Sequence, residues 1–159
     1  LLHDLGKALT PAEELPAHHG HEARGATLAE AVSKRLRAPV ACRELAVLVA
    51  RHHLTVHRAR ELKPSTMVDL LEALDAFRRP ERLREILAAC EIDARGRTGL
   101  EDRPYPSSEH VLWALRVCGE LDIKALVDGL PAGRDVRGAI HEARVAALVA
   151  AGFNAHKAG

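Results

Sequence analysis

The sequence predicts an all-α protein on three observations. Apolar residues recur at three- and four-residue spacing, no stretch alternates long enough to read as a strand, and aromatic residues are scarce. With one Trp, one Tyr and two Phe, the core has to be built from Leu, Val, Ile and Ala, a composition that favours helices over a sandwich or barrel. A chain of 159 residues, 47% hydrophobic and 28% charged, is long enough for one domain with a real core, or for a core with a small appendage.

The elements follow in order. The chain opens on Leu1-Leu2-His3-Asp4, which reads as the last turn of a helix whose beginning is missing, so a fragment of a longer protein is expected. Gly6 and the stretch from Thr10 to Gly20, with Pro11 and Pro16, read as loop. A helix is expected from His21 to Leu36, its inward stripe running through Gly25, Leu28 and Val32, and ending before Pro39. A second runs from Val40 to Thr55, with Leu45, Leu48 and Val49 inward. Ser65 or Thr66 can cap a third that carries Val68, Leu70, Leu71, Leu74 and Phe77. Pro80 suits the first turn of a fourth, reaching Ala94. The segment from Gly96 to Pro106 is loop, and three further helices are expected over Ser108–Leu121, Ile123–Leu130 and Asp135–Ala151. We place a domain boundary between residues 121 and 122, with residues 122–159 as a C-terminal helical tail.

Charge and cysteine usage exclude some classes of protein. The 23 basic residues are balanced by 22 acidic ones, so a net charge of +1 gives no general attraction to nucleic acid, and any RNA affinity must come from local patches. Cys42, Cys90 and Cys118 form no C-x-x-C pair, which fits a reducing, cytoplasmic setting. No apolar run approaches the ~20 residues of a membrane span, and no signal peptide is visible.

Four polar intrusions into apolar faces carry the chemistry. His3 and Asp4 are neighbours, and at a helix end an imidazole nitrogen and a carboxylate oxygen can reach one transition-metal ion. His18, His19 and His21 crowd into four residues, and His21 sits four residues before Gly25 on the inward face of its helix. His52, His53 and His57 end the next helix. His53 and His57 can share a side, while His52 fits the stripe through Leu45 and Val49, so periodicity does not choose between the neighbours. Asp93 continues the stripe Leu83, Ile86, Cys90, which aims a carboxylate at the core. It must be protonated, ion-paired with Arg95 or Arg97, or metal-bound.

Taken together, these residues resemble those of the HD-domain phosphohydrolases, helical proteins that bind divalent metal through scattered histidines, an adjacent His-Asp and a distant Asp. His3-Asp4 matches the name-giving pair, His21 and His53 the later histidines, and Asp93 the last acidic ligand. The family's first histidine lies on an upstream helix that is absent here. The chain is more closely similar to the HD domain of bacterial CCA-adding enzymes, through LLHDLGKALTP, HHGHE, LVARHH with His57, EIDARGRTG, Tyr105-Pro106 and the tail from Asp135 through Arg144 to Leu148.

The resemblance implies an HD-domain helical bundle with a C-terminal helical appendage. It also implies a divalent metal (Ni, Co, Mn or Mg) on His3, Asp4, His21, His53 and Asp93, and hydrolysis of 2′,3′-cyclic phosphates, 2′-nucleotides and phosphomonoesters. Lys7, Arg95 and Arg97 would neutralise phosphate charge, and His18 or His19 would protonate the leaving oxygen beside the catalytic His3-Asp4 pair. The implied partners are a tRNA 3′ end or nucleotide phosphates, and an N-terminal nucleotidyltransferase region of the same protein. Oligomeric state is left open. Two alternatives differ in class. One is a non-catalytic tRNA-supporting domain using Arg24, Arg35, Arg37, Arg134, Arg137 and Arg144; the other is a free-standing HD phosphohydrolase.

Overall fold

The computed structural model describes residues 2–96 and 98–153. Among them there are seven α-helices and no strand: α1 (His21–Arg35), α2 (Val40–His57), α3 (Pro64–Ala73), α4 (Pro80–Arg95), α5 (Pro106–Gly119), α6 (Ile123–Asp128) and α7 (Val136–Ala150). Three short 3-10 helices add to these, at Leu5–Leu9, Ala12–Glu14 and Ala59–Glu61. The all-α expectation holds.

The chain divides into two compact units that interleave along the sequence. The first comprises residues up to His57 together with Glu81–Tyr105; the second comprises Arg58–Pro80 and the residues from Pro106 on. The tail expected from residue 122 falls in the second unit. In the second unit α7 packs on α3 and α5, so the tail shares a core with helices that lie before residue 121. The reason is apolar burial: Leu148 and Phe153 are fully buried, and the Phe153 ring lies 4.8 Å from His110 and 6.0 Å from Trp113, both on α5. Arg144 of α7 lies 3.6 Å above the Phe77 ring and is paired with Glu72 at 2.8 Å, so it is engaged within this unit.

In the first unit α1 packs along α2 through small side chains. Ala26, Ala29 and Ala50 are buried, with Leu2, Ala46 and Val47 against them. This shifts the inward face of α1 from the expected stripe: Gly25 is buried as expected, but Leu28 and Val32 are only half-buried, while Ala26, Ala29 and Ser33 are interior. Small residues win the interface because they let two helix backbones approach closely. The same logic seats the Leu5–Leu9 turn on α1. A Cβ built on Gly6 would lie 1.9 Å from the His21 carbonyl oxygen and 2.6 Å from the Gly25 nitrogen. Only glycine permits that contact, and it fixes His3-Asp4 beside the start of α1.

Helix ends follow elementary rules with two departures. α3 begins at Pro64, one or two residues before the expected hydroxyl caps, because proline lacks the N–H that the first turn would leave unpaired. It stops at Ala73, since Asp75 takes a left-handed conformation (φ 54°), and Phe77 lies beyond it. Asp122 and Asp135 cap α6 and α7 through their side chains.

Candidate metal centre

The first unit gathers the polar intrusions at one place. His3 and Asp4 sit on the turn that leads into Leu5–Leu9. His21 is the first residue of α1, and its backbone N–H follows a left-handed Gly20 (φ 67°). His53 and His57 lie one turn apart near the end of α2, and Asp93 near the end of α4. His53 is 2% exposed and His21 6%. His52, its neighbour on α2, makes none of these contacts and is half-buried elsewhere on the helix.

Asp4 is the hub. Its Oδ1 is 3.5 Å from His21 Nε2 and 3.8 Å from His53 Nε2; its Oδ2 is 3.3 Å from His3 Nε2 and 2.6 Å from Lys7 Nζ. The ligand atoms of His3, Asp4 and His53 lie within 4.8 Å of one another, a spacing at which one ion can be shared. His3 Nε2 also stands 3.0 Å from Asp93 Oδ1 and so joins the two carboxylates. Asp93 Oδ2 is 2.9 Å from His57 Nε2, and the other nitrogen of His57 is 2.8 Å from the Tyr105 hydroxyl.

The tautomers make this arrangement informative. A carbonyl can only accept, so His21 donates Nδ1–H to the His18 carbonyl at 2.7 Å, and His53 donates Nδ1–H to the carbonyls of Val49 and Ala50 at 3.2 and 3.1 Å. In the neutral rings both Nε2 atoms then carry lone pairs, and both are turned towards Asp4 Oδ1. Lone pairs facing a carboxylate oxygen repel each other unless a cation lies between them. Asp4 Oδ1 and His21 Nε2 are buried and have no hydrogen-bond partner. A divalent cation suits this donor set of imidazole nitrogen and carboxylate oxygen, with the distal N–H groups fixed by carbonyls as metal-ligating histidines usually are.

The local charges agree. Burial lowers the His53 pKa below its ordinary 6.5, and the proximity of the His3 ring lowers it further, which favours the neutral, ligating form of His53. Burial opposes ionisation of Asp4, but the hydrogen bond from Lys7 and the charges of His3 and Lys7 outweigh it. The carboxyl is held below its ordinary 3.8.

The remaining sequence candidates are placed as follows. Lys7 is half-exposed and bound to Asp4. His18 is half-buried, with Nδ1 2.8 Å from the Thr10 hydroxyl, and its ring is 6.4 Å from that of His21. His19 is exposed, and its carbonyl accepts from Arg24. Arg95 pairs with Glu91 at 2.9 Å, not with Asp93. Arg97 lies outside the described residues. His57 and Tyr105 were not among the expected ligands, although the four-residue spacing of His53 and His57 was a visible signal for the former.

The helical fold, the His-Asp pair and the clustered histidines define a class, and residues 1–95 match the HD domain family: this chain belongs to it. Over 148 residues it is 52% identical to the multifunctional CCA protein of Thioalkalivibrio sulfidiphilus, covering 93% of this chain and 36% of that protein. It is 51% identical over 150 residues to the multifunctional CCA protein of Alkalilimnicola ehrlichii, and 47% identical over 150 residues to that of Pseudomonas aeruginosa. These alignments each cover 94% of this chain, and 36% and 37% of the relative. The chain thus spans little more than a third of the length of these relatives. No solved structure matches it. Among the described residues, no helix is long and apolar enough to cross a membrane.

Proposed function

We propose that this HD domain is a divalent-metal-dependent phosphohydrolase that works in tRNA 3′-end maturation or repair. Its substrates in this reading are 2′,3′-cyclic phosphates, 2′-nucleotides and phosphomonoesters. The observation that carries it is the buried Asp4 Oδ1, without a hydrogen-bond partner and faced by the Nε2 atoms of His21 and His53. His3, Asp4, His21, His53 and Asp93 would hold the ion. When bound, it supplies Lewis-acid polarisation of a phosphoryl oxygen and a water acidic enough to attack near neutral pH.

The chain's own groups would do the rest. Lys7, already at the rim on Asp4, supplies a positive charge for a phosphate oxygen, and Arg95 a second at the end of α4. His18, whose Nδ1 lies 2.8 Å from the Thr10 hydroxyl, would give a proton to a leaving ribose oxygen. The similarity to multifunctional CCA proteins supports a tRNA 3′ end as the substrate's context and a nucleotidyltransferase region as a neighbour in the full protein. A cytoplasmic setting fits three free thiols, two of them buried and pushed up to about 12 (Cys90) and about 11 (Cys118), chiefly by burial.

The test is metal content together with hydrolysis of 2′,3′-cyclic AMP and p-nitrophenyl phosphate across Ni, Co, Mn and Mg. Metal-dependent turnover that disappears in Asp4→Ala and Asp93→Ala is the expected result. Turnover that survives both substitutions would refute the reading.

A further inference from the structure

We propose that Tyr105 and His57 form a positioning relay that holds Asp93 in the orientation its role as a ligand requires, with neither residue touching the ion itself. The inference rests on the metal-site reading above and deepens it.

Asp93 lies at the last turn of α4, where a carboxylate on a short side chain still has two rotatable bonds. Its Oδ1 faces His3 Nε2 at 3.0 Å, and its Oδ2 is 2.9 Å from His57 Nε2. A carboxylate only accepts hydrogen bonds, so the His57 contact is an Nε2–H donating to Oδ2. In the neutral ring Nδ1 is then an acceptor, and the Tyr105 hydroxyl, 2.8 Å away, is the donor that fills it. The direction of every proton in the chain Tyr105 O–H, His57 Nδ1, His57 Nε2–H, Asp93 Oδ2 is thereby set. One oxygen of Asp93 is occupied from outside, and the other is left for the centre.

This wiring separates His57 from its neighbour one turn earlier. His53 spends its Nδ1–H on backbone carbonyls and presents a bare Nε2 to Asp4; His57 uses its Nε2–H on Asp93. The two rings are 5.9 Å apart and nearly perpendicular, so the same helix face offers one ligand and one support. Tyr105 packs edge-on against His57, at 5.8 Å between ring centres, which fixes the ring plane as well as the tautomer. Such outer partners of metal ligands commonly contribute on the order of ten- to a hundredfold to metal affinity.

The experiment is cobalt titration of the full chain, read by calorimetry and by the visible d–d spectrum, for the wild type and for Asp93→Ala, His57→Ala, His57→Gln and Tyr105→Phe. A glutamine can reproduce both bonds, its amide N–H to Asp93 and its amide oxygen towards Tyr105, but it is a poor replacement for an imidazole ligand. The expected result is affinity weakened ten- to a hundredfold in His57→Ala and largely restored in His57→Gln. A smaller loss is expected in Tyr105→Phe, with the wild-type spectrum kept in both milder variants. Equal losses in His57→Ala and His57→Gln with an altered spectrum would make His57 a ligand and overturn the relay. Wild-type affinity in His57→Ala or in Tyr105→Phe overturns it too. If His57→Ala does not fold, His57→Gln and Tyr105→Phe decide alone. Absence of cobalt binding in the wild type sinks the metal site itself, whereas binding that is lost in Asp93→Ala but indifferent to His57 and Tyr105 sinks only the relay.

Discussion

For His21, His53 and His57, what one ring nitrogen meets decides what the other can offer. A ring whose Nδ1–H is given to a carbonyl offers a lone pair at Nε2; a ring whose Nε2–H is given to a carboxylate does not. His21 and His53 are of the first kind and His57 of the second. The burial that keeps His53 neutral has a consequence for stability. Because its pKa in the fold lies below 6.5, the unfolded chain takes up a proton first as pH falls. The stabilisation is complete above pH 6.5 and is lost as pH falls through the lower folded value. In metal-free protein, the thermal midpoint of unfolding should therefore decline from pH 7 towards pH 5. His53→Gln, which has nothing to protonate, should flatten that decline. Parallel curves for wild type and variant would show that the burial of His53 is not what the protein feels on acidification.

At the scale of elements, the site depends on how closely the Leu5–Leu9 turn lies on α1, and two glycines mark that contact unequally. At Gly6 a methyl group would overlap the backbone of His21 and Gly25; at Gly25 its nearest neighbours would be the Gly6 nitrogen and the His3 carbonyl oxygen, both at 3.3 Å. Gly6→Ala should cost at least ~2 kcal/mol in urea unfolding, towards the upper end for overpacked cores. It should also weaken metal binding by moving Asp4. Gly25→Ala should cost less than about 1 kcal/mol, because the neighbours need give only a few tenths of an ångström and alanine is the better helix former. Equal costs would mean that the turn is not held by this contact.

The same scale shows what could be read without coordinates. Helix positions were legible because Pro39, Pro64 and Pro80 punctuate them. His3-Asp4, His21 and Asp93 were legible because each interrupts an apolar pattern. The inward face of α1 was misjudged at Leu28 and Val32, since hydropathy favours large residues and close helix contact favours small ones. The bonds from His57 to Asp93 and to Tyr105 span 36 and 48 residues, and no local pattern carries them.

The whole molecule is two compact units between which the chain passes three times, and all five candidate ligands belong to the first. A ligand that binds only the folded state stabilises it by about 2.7 kcal/mol at a concentration a hundred times its dissociation constant. For a chain of this size that is a rise in thermal midpoint of roughly 5–10 °C, reversed by chelation. The gain should be local before it is global. Amides that exchange through small openings near His3, at the start of α1 and at the ends of α2 and α4 should slow when metal is added, because each opening there breaks a ligand contact. Amides of α3 and α7 that exchange by local opening have no such contact to break and should keep their rates. Hydrogen exchange with and without cobalt measures both sets in one experiment. Slowing confined to the first set locates the ion among His3, Asp4, His21, His53 and Asp93. Slowing centred on α3 or α7 would put the ion elsewhere and remove the basis for reading the histidine cluster as the centre of a hydrolase.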